Sequence, residues 1–121
     1  MQKPPPLPMD APRVVNAEAL PIDVDSIFWE CASAAVVVVG LRIESSWETL
    51  TGDTLSDPTG NPIGGHAVAI TGGDRSLGCF RIRNSWSENF GDKGSAWLPF
   101  SWIRLGVCGE AFAIRAVRRA P

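Results

Sequence analysis

Residues 64–86 read GGHAVAITGGDRSLGCFRIRNSW and decide the fold of this chain. Two apolar runs, His66–Thr71 and Cys79–Asn84, flank the segment GGDRSLG, whose glycines and aspartate can adopt the positive φ angles of a tight reversal. This pattern predicts two antiparallel strands joined as a hairpin. A hairpin symmetric about Arg75 would place His66, the only histidine, directly opposite Asn84.

In that register the imidazole and the carboxamide are cross-strand neighbours, with Cβ atoms about 4.5–5.5 Å apart, close enough to hydrogen-bond. An amide oxygen that accepts from one ring nitrogen fixes the tautomer and leaves the other nitrogen free as a general base. On spacing alone, a histidine that only satisfies its hydrogen bonds is the preferred interpretation. The same parity places four apolar residues on the face of the pair: Val68, Ile70, Phe80 and Ile82.

Two segments upstream of the hairpin predict regular structure. DVDSIFWECASA has apolar residues at helical spacing behind an aspartate or serine cap, which predicts a short helix over about residues 24–33. AAVVVVGLRI, residues 34–43, is rich in β-branched residues and lacks alternation. It predicts a central strand that is covered on both faces.

The rest of the chain divides into a loop and a closing strand. Residues 44–63 concentrate Gly, Pro, Asp, Asn, Ser and Thr, which predicts a long loop, and long loops in compact domains are often functional. AFAIRAV, residues 111–117, predicts a last strand of the same sheet.

Composition excludes several classes of protein. The 121 residues carry a formal net charge of −2 and 45% hydrophobic residues, so we expect one small globular domain and no nucleic-acid partner. The longest apolar run, residues 34–39, is far shorter than the roughly 20 residues that cross a bilayer. Residues 1–13 carry five prolines and do not look like a signal peptide. We therefore expect a soluble protein without a membrane partner, and its compartment is not indicated.

The three cysteines are Cys31, Cys79 and Cys108, and they form no CxxC pair. An odd number at wide spacing favours neither a disulfide framework nor a zinc site, so we expect reduced thiols packed as small hydrophobic residues. We expect no metal and no cofactor.

GGHAVAI and RNSWSENFGDKG together resemble the papain-like cysteine peptidases, in which a Gly-His-Ala-Val and an Asn-Ser-Trp-Gly segment carry two members of a Cys-His-Asn triad. The resemblance covers about residues 14–118, since VVVVGLRI, WLPFSWI and EAFAIRAV also match the order of segments in the family. It implies an α+β fold: a small, mainly antiparallel sheet or half-barrel with a short N-terminal helix, like the right-hand domain of these enzymes. Residues 1–13 are then a Pro-rich lead or linker, and residues 119–121 a tail.

The resemblance also implies roles for individual residues. His66 becomes the catalytic base and ion-pair partner, and Asn84 the residue that orients it. Trp86 shields their hydrogen bond from water with support from Ser85, and the substrate cleft passes the two glycines before the histidine, Gly64 and Gly65. The motif departs from the family at Ser87, where glycine is usual, and at Phe90, where a second tryptophan is common.

The family's nucleophile is missing from this sequence. In the family a cysteine on a helix of the N-terminal half attacks the peptide carbonyl as a thiolate. No Cys-Gly-Ser-Cys-Trp segment occurs here, and the only glutamine is Gln2, so the oxyanion-hole glutamine is missing as well. Cys31 is a low-probability substitute, because it lies inside a predicted helix where the helix dipole has little effect on a thiol pKa.

The sequence is compatible with three functions and does not decide whether the chain is an enzyme. The first is the C-terminal half of a papain-like peptidase that acts on a peptide or protein substrate, is inactive alone, and takes its cysteine from an N-terminal half-domain. The second is a non-catalytic peptide-binding or regulatory half-domain, which predicts an exposed apolar face around Val68, Ile70, Phe80 or Ile82. The third is a minimal dyad of Cys31 and His66.

Overall fold

A computed structural model describes residues 13–33 and 35–117. The Pro-rich lead, except Arg13, and the tail at 119–121 lie outside the described residues. The elements in chain order are β1 (Arg13–Ala19), α1 (Val24–Ala32), β2 (Val36–Ile43), a 3-10 turn (Ser45–Trp47), β3 (Gly64–Asp74), β4 (Cys79–Arg83), β5 (Ser95–Pro99), α2 (Ser101–Arg104) and β6 (Cys108–Val117).

Six strands form one open sheet in the order β1-β6-β2-β3-β4-β5, and each neighbouring pair is antiparallel. The predicted α+β class, with a small antiparallel sheet and a short N-terminal helix, is confirmed. The helix α1 begins after Asp23, whose carboxylate accepts from the Ser26 backbone N–H at 2.7 Å, as the sequence predicts for its cap. The core lies on one face of the sheet and includes residues of α1 and of the long loop.

The prediction that β2 is covered on both faces is wrong. Its burial alternates: Val37, Val39 and Leu41 are buried, whereas Val36 is 45% exposed and Val38 half-exposed. The strand is central, with β6 on one side and β3 on the other, but only its inner face has a covering layer. A uniform run of valines therefore leaves one apolar face open to solvent.

The β3–β4 hairpin exists, but its register differs from the prediction by two residues at the site end and by three beyond an irregularity between Ile70 and Gly72. Ile70 pairs with Ile82 rather than with Phe80. The turn occupies residues 75–78 and is held by Asp74, whose carboxylate accepts from the backbone N–H groups of Ser76 and Leu77. Because the shift at the site end is an even number of residues, the side chains there keep their predicted face.

Candidate active site

His66 and Asn84 form a direct hydrogen bond, 2.7 Å between His66 Nε2 and Asn84 Oδ1. His66 is near the start of β3 and pairs with Leu41 of β2, while Asn84 follows the last residue of β4. The two side chains share a face but are offset by two residues, so they meet on the diagonal instead of directly across the ladder. Asn84 is 3% exposed and His66 is half-buried at the edge of the core.

This geometry selects one tautomer of the neutral imidazole. A carboxamide oxygen only accepts hydrogen bonds, so Nε2 must carry the hydrogen and Nδ1 keeps its lone pair. The free nitrogen can take a proton from a thiol, and the resulting imidazolium can stabilise the thiolate as an ion pair. The arrangement is therefore chemically suited to a base whose orientation is fixed.

Trp86 covers the pair from the solvent side. Its ring centroid lies 5.2 Å from that of His66, with 36° between the ring planes, and its side chain is 41% exposed. This contact is compatible with the predicted shielding of the His66–Asn84 hydrogen bond from water, and that role stays a prediction. Ser85, between Asn84 and Trp86, is exposed.

The backbone of Asn84 is held by the tight turn that follows. Its N–H donates to the carbonyl of Gly94 at 2.8 Å, and the Gly94 N–H donates to Phe90 at 2.8 Å. Gly91, Lys93 and Gly94 all have positive φ, at 57°, 52° and 92°. The segment FGDKG therefore forms a tight turn, and this turn fixes the backbone position from which the Asn84 carboxamide projects.

The two residues that are predicted to line the substrate cleft are at the protein surface. Gly64 and Gly65 are exposed, and a Cβ built on either would touch nothing within 4 Å. Gly65 lines a hollow that also reaches His66 and is walled by further glycines and one carboxylate: Gly40, Gly106, Gly109 and Glu110. A peptide backbone can approach this wall closely, and its role as a substrate cleft stays a prediction.

The structure does not bring Cys31 to His66. The Cys31 Sγ atom contacts the carbonyl of Ile70 at 3.9 Å, and Ile70 is four residues further along β3 than His66, or about 13 Å. Burial raises the pKa of the Cys31 thiol to about 11, and the Glu30 carboxylate adds to the shift. Both the distance and the pKa disfavour a Cys31–His66 dyad.

Alkylation of Cys31 tests this directly. In a Cys79→Ala/Cys108→Ala variant, we expect iodoacetamide to modify Cys31 at pH 7.5 roughly 100-fold more slowly than free cysteine. A pKa of about 11 leaves that much less thiolate than an unperturbed value near 8.5–9. The rate is measured by mass spectrometry of the intact chain. A rate faster than that of free cysteine, lost in His66→Ala, would restore the dyad.

The long loop at residues 44–63 is closed from inside by a buried carboxylate. Glu44 accepts from the backbone N–H groups of Thr59 and Gly60, both at 2.9 Å to its nearer oxygen, and from the Thr59 hydroxyl at 2.8 Å. The Asn61 N–H donates at 3.3 Å. These donors lower the pKa of the Glu44 carboxyl, with the Thr59 backbone N–H as the largest cause. This role could not be predicted from the sequence, because Glu44 looks like an ordinary charged residue at a strand end.

Because the pKa of the Glu44 carboxyl is lower in the folded than in the unfolded state, the ionised carboxylate stabilises the fold at pH values above the unfolded pKa near 4.5. This stabilisation is lost as the pH falls through the pKa of the folded state. We therefore expect Glu44→Gln to reduce the acid sensitivity of the unfolding free energy below about pH 4.5. We also expect the amides of Thr59, Gly60 and Asn61 to exchange about tenfold faster near neutral pH. Glu48→Gln, on the exposed side of the same loop, is the control. Equal exchange rates in both variants would contradict the role of Glu44.

Two further properties of the described residues bear on the class of site. No group of three or more His, Cys, Asp or Glu side chains among residues 13–33 and 35–117 is placed to hold a metal ion. Within the same ranges, neither helix has the length and apolar character needed to cross a bilayer.

An open antiparallel sheet that presents a histidine–asparagine pair beneath a tryptophan is the arrangement that the sequence resemblance implies for a cysteine-peptidase domain. Comparison with solved structures supports that class. Xylellain, a cysteine protease from Xylella fastidiosa, superposes with a TM-score of 0.78 at 29% identity, over 88% of this chain and 41% of xylellain.

Two more distant structures share the fold. Procathepsin L 3 from the larval midgut of Tenebrio molitor matches with a TM-score of 0.64 at 18% identity, over 83% of this chain and 35% of its own. Bromelain from Ananas comosus, in complex with the E64 inhibitor, matches with a TM-score of 0.60 at 15% identity, over 88% of this chain and 51% of the bromelain chain. No model of a protein family matches the chain, and no curated protein matches it. The chain therefore has the papain-like cysteine protease fold, and it spans about half or less of the length of the structures it matches.

Proposed function

We propose that this chain is the histidine- and asparagine-bearing half of a papain-like cysteine peptidase, that a second segment supplies the nucleophilic cysteine, and that the chain alone is inactive. The observation that carries the proposal is the 2.7 Å hydrogen bond from the imidazole to Asn84, which leaves Nδ1 of His66 free for a thiol. The shielding by Trp86 and the match to xylellain over 88% of this chain support it.

The uncovered face of the sheet supports a missing partner segment. Residues that pair across neighbouring antiparallel strands point to the same face. Val36 pairs with Ile114, and Val38 pairs with both Phe112 and Ala69, so the outer face is apolar along three strands. Its residues are exposed or partly buried: Val36, Val38, Ala67, Ala69, Phe112 and Ile114. A contiguous apolar surface on the solvent side of a sheet is typical of a protein interface.

The alternative function, a non-catalytic peptide-binding or regulatory half-domain, predicts exposure of a different face. Val68, Ile70, Phe80 and Ile82 are 0–3% exposed, so that expectation is wrong. The open face is the opposite one, on the other side of β3. A half-domain that only binds peptides has no need of an oriented base, and the peptidase half is therefore preferred.

The site also carries unpaired buried donors. Asn84 Nδ2, Trp47 Nε1 and Ser46 Oγ have no hydrogen-bond partner in the described part of the chain. Each unpaired buried group costs about 1–3 kcal/mol. Two of the three belong to the site region, because Asn84 is hydrogen-bonded to His66 and Trp47 contacts its ring.

Reconstitution tests the proposal. The pure chain is incubated with a fluorogenic peptide and a thiol reductant, first alone and then with a separately expressed nucleophile half. We define the nucleophile half as the cysteine-bearing segment encoded next to this chain or, failing that, the part of xylellain outside the matched region. We expect no turnover by the chain alone and thiol-dependent turnover by the mixture. Turnover by the chain alone that is lost in His66→Ala would contradict its inactivity, and an inactive mixture whose components bind would contradict the peptidase role.

A further inference from the structure

Trp47 is the centre of an aromatic cluster that reaches the candidate site from the long loop. Its side chain is 1% exposed. Its ring stacks on Phe90, with centroids 5.9 Å apart and 23° between the planes, and meets Trp102 edge to face at 5.6 Å. It meets Trp86 at 6.3 Å and 69°. No other ring in the described residues contacts as many aromatic neighbours.

The same ring also contacts His66. The Trp47 and His66 centroids lie 6.3 Å apart with 82° between the planes, an edge-to-face geometry. Trp86 contacts the imidazole too, at 5.2 Å, so two indoles border it. Such aromatic pairs have preferred orientations, so contact with two indoles restrains rotation of the imidazole about χ2.

Trp47 is held in place independently of His66. It lies in the 3-10 turn directly after Glu44, whose carboxylate closes the loop through Thr59 and Gly60. The ends of the loop are tied by the Ile63 N–H, which donates to the Ile43 carbonyl at 2.8 Å. The chain is therefore anchored at two points directly before the turn that carries Trp47, and the indole itself is buried.

We infer that Trp47 is a positioning residue: it fixes the ring orientation of His66 so that Nε2 faces Asn84 and Nδ1 stays available. The hydrogen bond to Asn84 alone restrains one ring atom, and the indole edge restrains the plane of the ring. The catalytic significance of this ring orientation rests on the proposed function. The orientation itself does not, because it can be measured in the isolated chain.

The single histidine of the chain makes the measurement direct. Long-range ¹H–¹⁵N correlation spectra of the neutral imidazole give the ratio of the Nε2–H and Nδ1–H tautomers without assignment ambiguity. We expect Trp47→Leu to lower the Nε2–H to Nδ1–H ratio by about two- to tenfold, the range that one aromatic pair supplies. Phe80→Leu is the matched control, because Phe80 is 0% exposed and its aromatic neighbours among the described residues are Phe28 and Phe100, not His66. We expect the control to keep the parent ratio.

Two outcomes would overturn the inference: an unchanged ratio in folded Trp47→Leu, or an equal change in Phe80→Leu. Should Trp47→Leu fail to fold, Trp47→Phe keeps the stack on Phe90 but shortens the edge that meets His66, and a ratio equal to the parent's would overturn the inference in the same way. An unchanged tautomer ratio together with an active reconstituted enzyme would reject the role of Trp47 while the proposed function stands.

Discussion

Replacing His66 with alanine is expected to lower kcat of the reconstituted enzyme by roughly 10⁴- to 10⁶-fold, which is the scale seen when a member of a catalytic triad is removed. Without the imidazole, no group near the site takes the thiol proton or stabilises the thiolate. His66→Gln should be as inactive, because glutamine can hydrogen-bond to Asn84 but cannot act as a base. The substitutions leave KM nearly unchanged if the base contributes only to the chemical steps.

Asn84→Ala should have a smaller effect on the same reaction. It removes the acceptor at Nε2 but leaves the base, so we expect a loss of about 10²-fold in kcat, the scale of a misplaced catalytic group. Leu77→Ala is the control: its side chain is 56% exposed in the turn at the far end of the β3–β4 hairpin. Equal losses in His66→Ala and Leu77→Ala would mean that the assay reports folding or assembly and would contradict a catalytic role of His66.

The His66–Asn84 contact could be predicted from the sequence because it depends on parity, which an even shift in register preserves. The register itself could not. The segment GGDRSLG offers glycines at both ends, and the turn uses Gly78, with a φ of 68°, while an irregularity between Ile70 and Gly72 displaces the first strand. The hydrogen bonds from the Ser76 and Leu77 backbone N–H groups to Asp74 stabilise the turn that is observed, and this fixes the register of the hairpin. Whether those hydrogen bonds form depends on three-dimensional context.

Strands β1 and β5 were not predicted, because neither has a strong pattern of its own. β1 reads RVVNAEA, with four residues of low strand propensity, and β5 reads SAWLP, with only five residues and a proline. Each is held as an edge by a stronger neighbour, β6 for β1 and β4 for β5. Tertiary pairing, and not local preference, makes them strands.

The contribution of the loop to the site was also beyond the sequence. Turn-forming composition predicts that residues 44–63 form a loop, but it does not predict the path of the chain within that loop. The path depends on Glu44, which collects the donors of Thr59, Gly60 and Asn61, and that path brings Trp47 to His66. A charged residue that looks like surface thus determines where a buried indole lies.

Gly91→Ala is expected to have the largest effect on stability, about 3 kcal/mol in the free energy of unfolding. The residue has a φ of 57°, and a Cβ at this position would overlap the backbone carbonyl of Ser95. Relief requires movement of the turn, because the overlapping atom belongs to the backbone rather than to a flexible side chain. The measurement is urea unfolding followed by tryptophan fluorescence.

Gly78→Ala separates the two causes of that loss. Gly78 has a similar φ of 68°, but a Cβ there would touch nothing within 4 Å, so only the left-handed strain of about 1 kcal/mol remains. The difference between the two variants therefore measures the steric overlap at Gly91. Since the Gly91 turn also holds the Asn84 backbone through Gly94, we expect Gly91→Ala, and not Gly78→Ala, to weaken the Nε2–H preference of His66. Equal destabilisation by the two substitutions would contradict the overlap, and an unchanged tautomer ratio in Gly91→Ala would show that Asn84 holds its position without this turn.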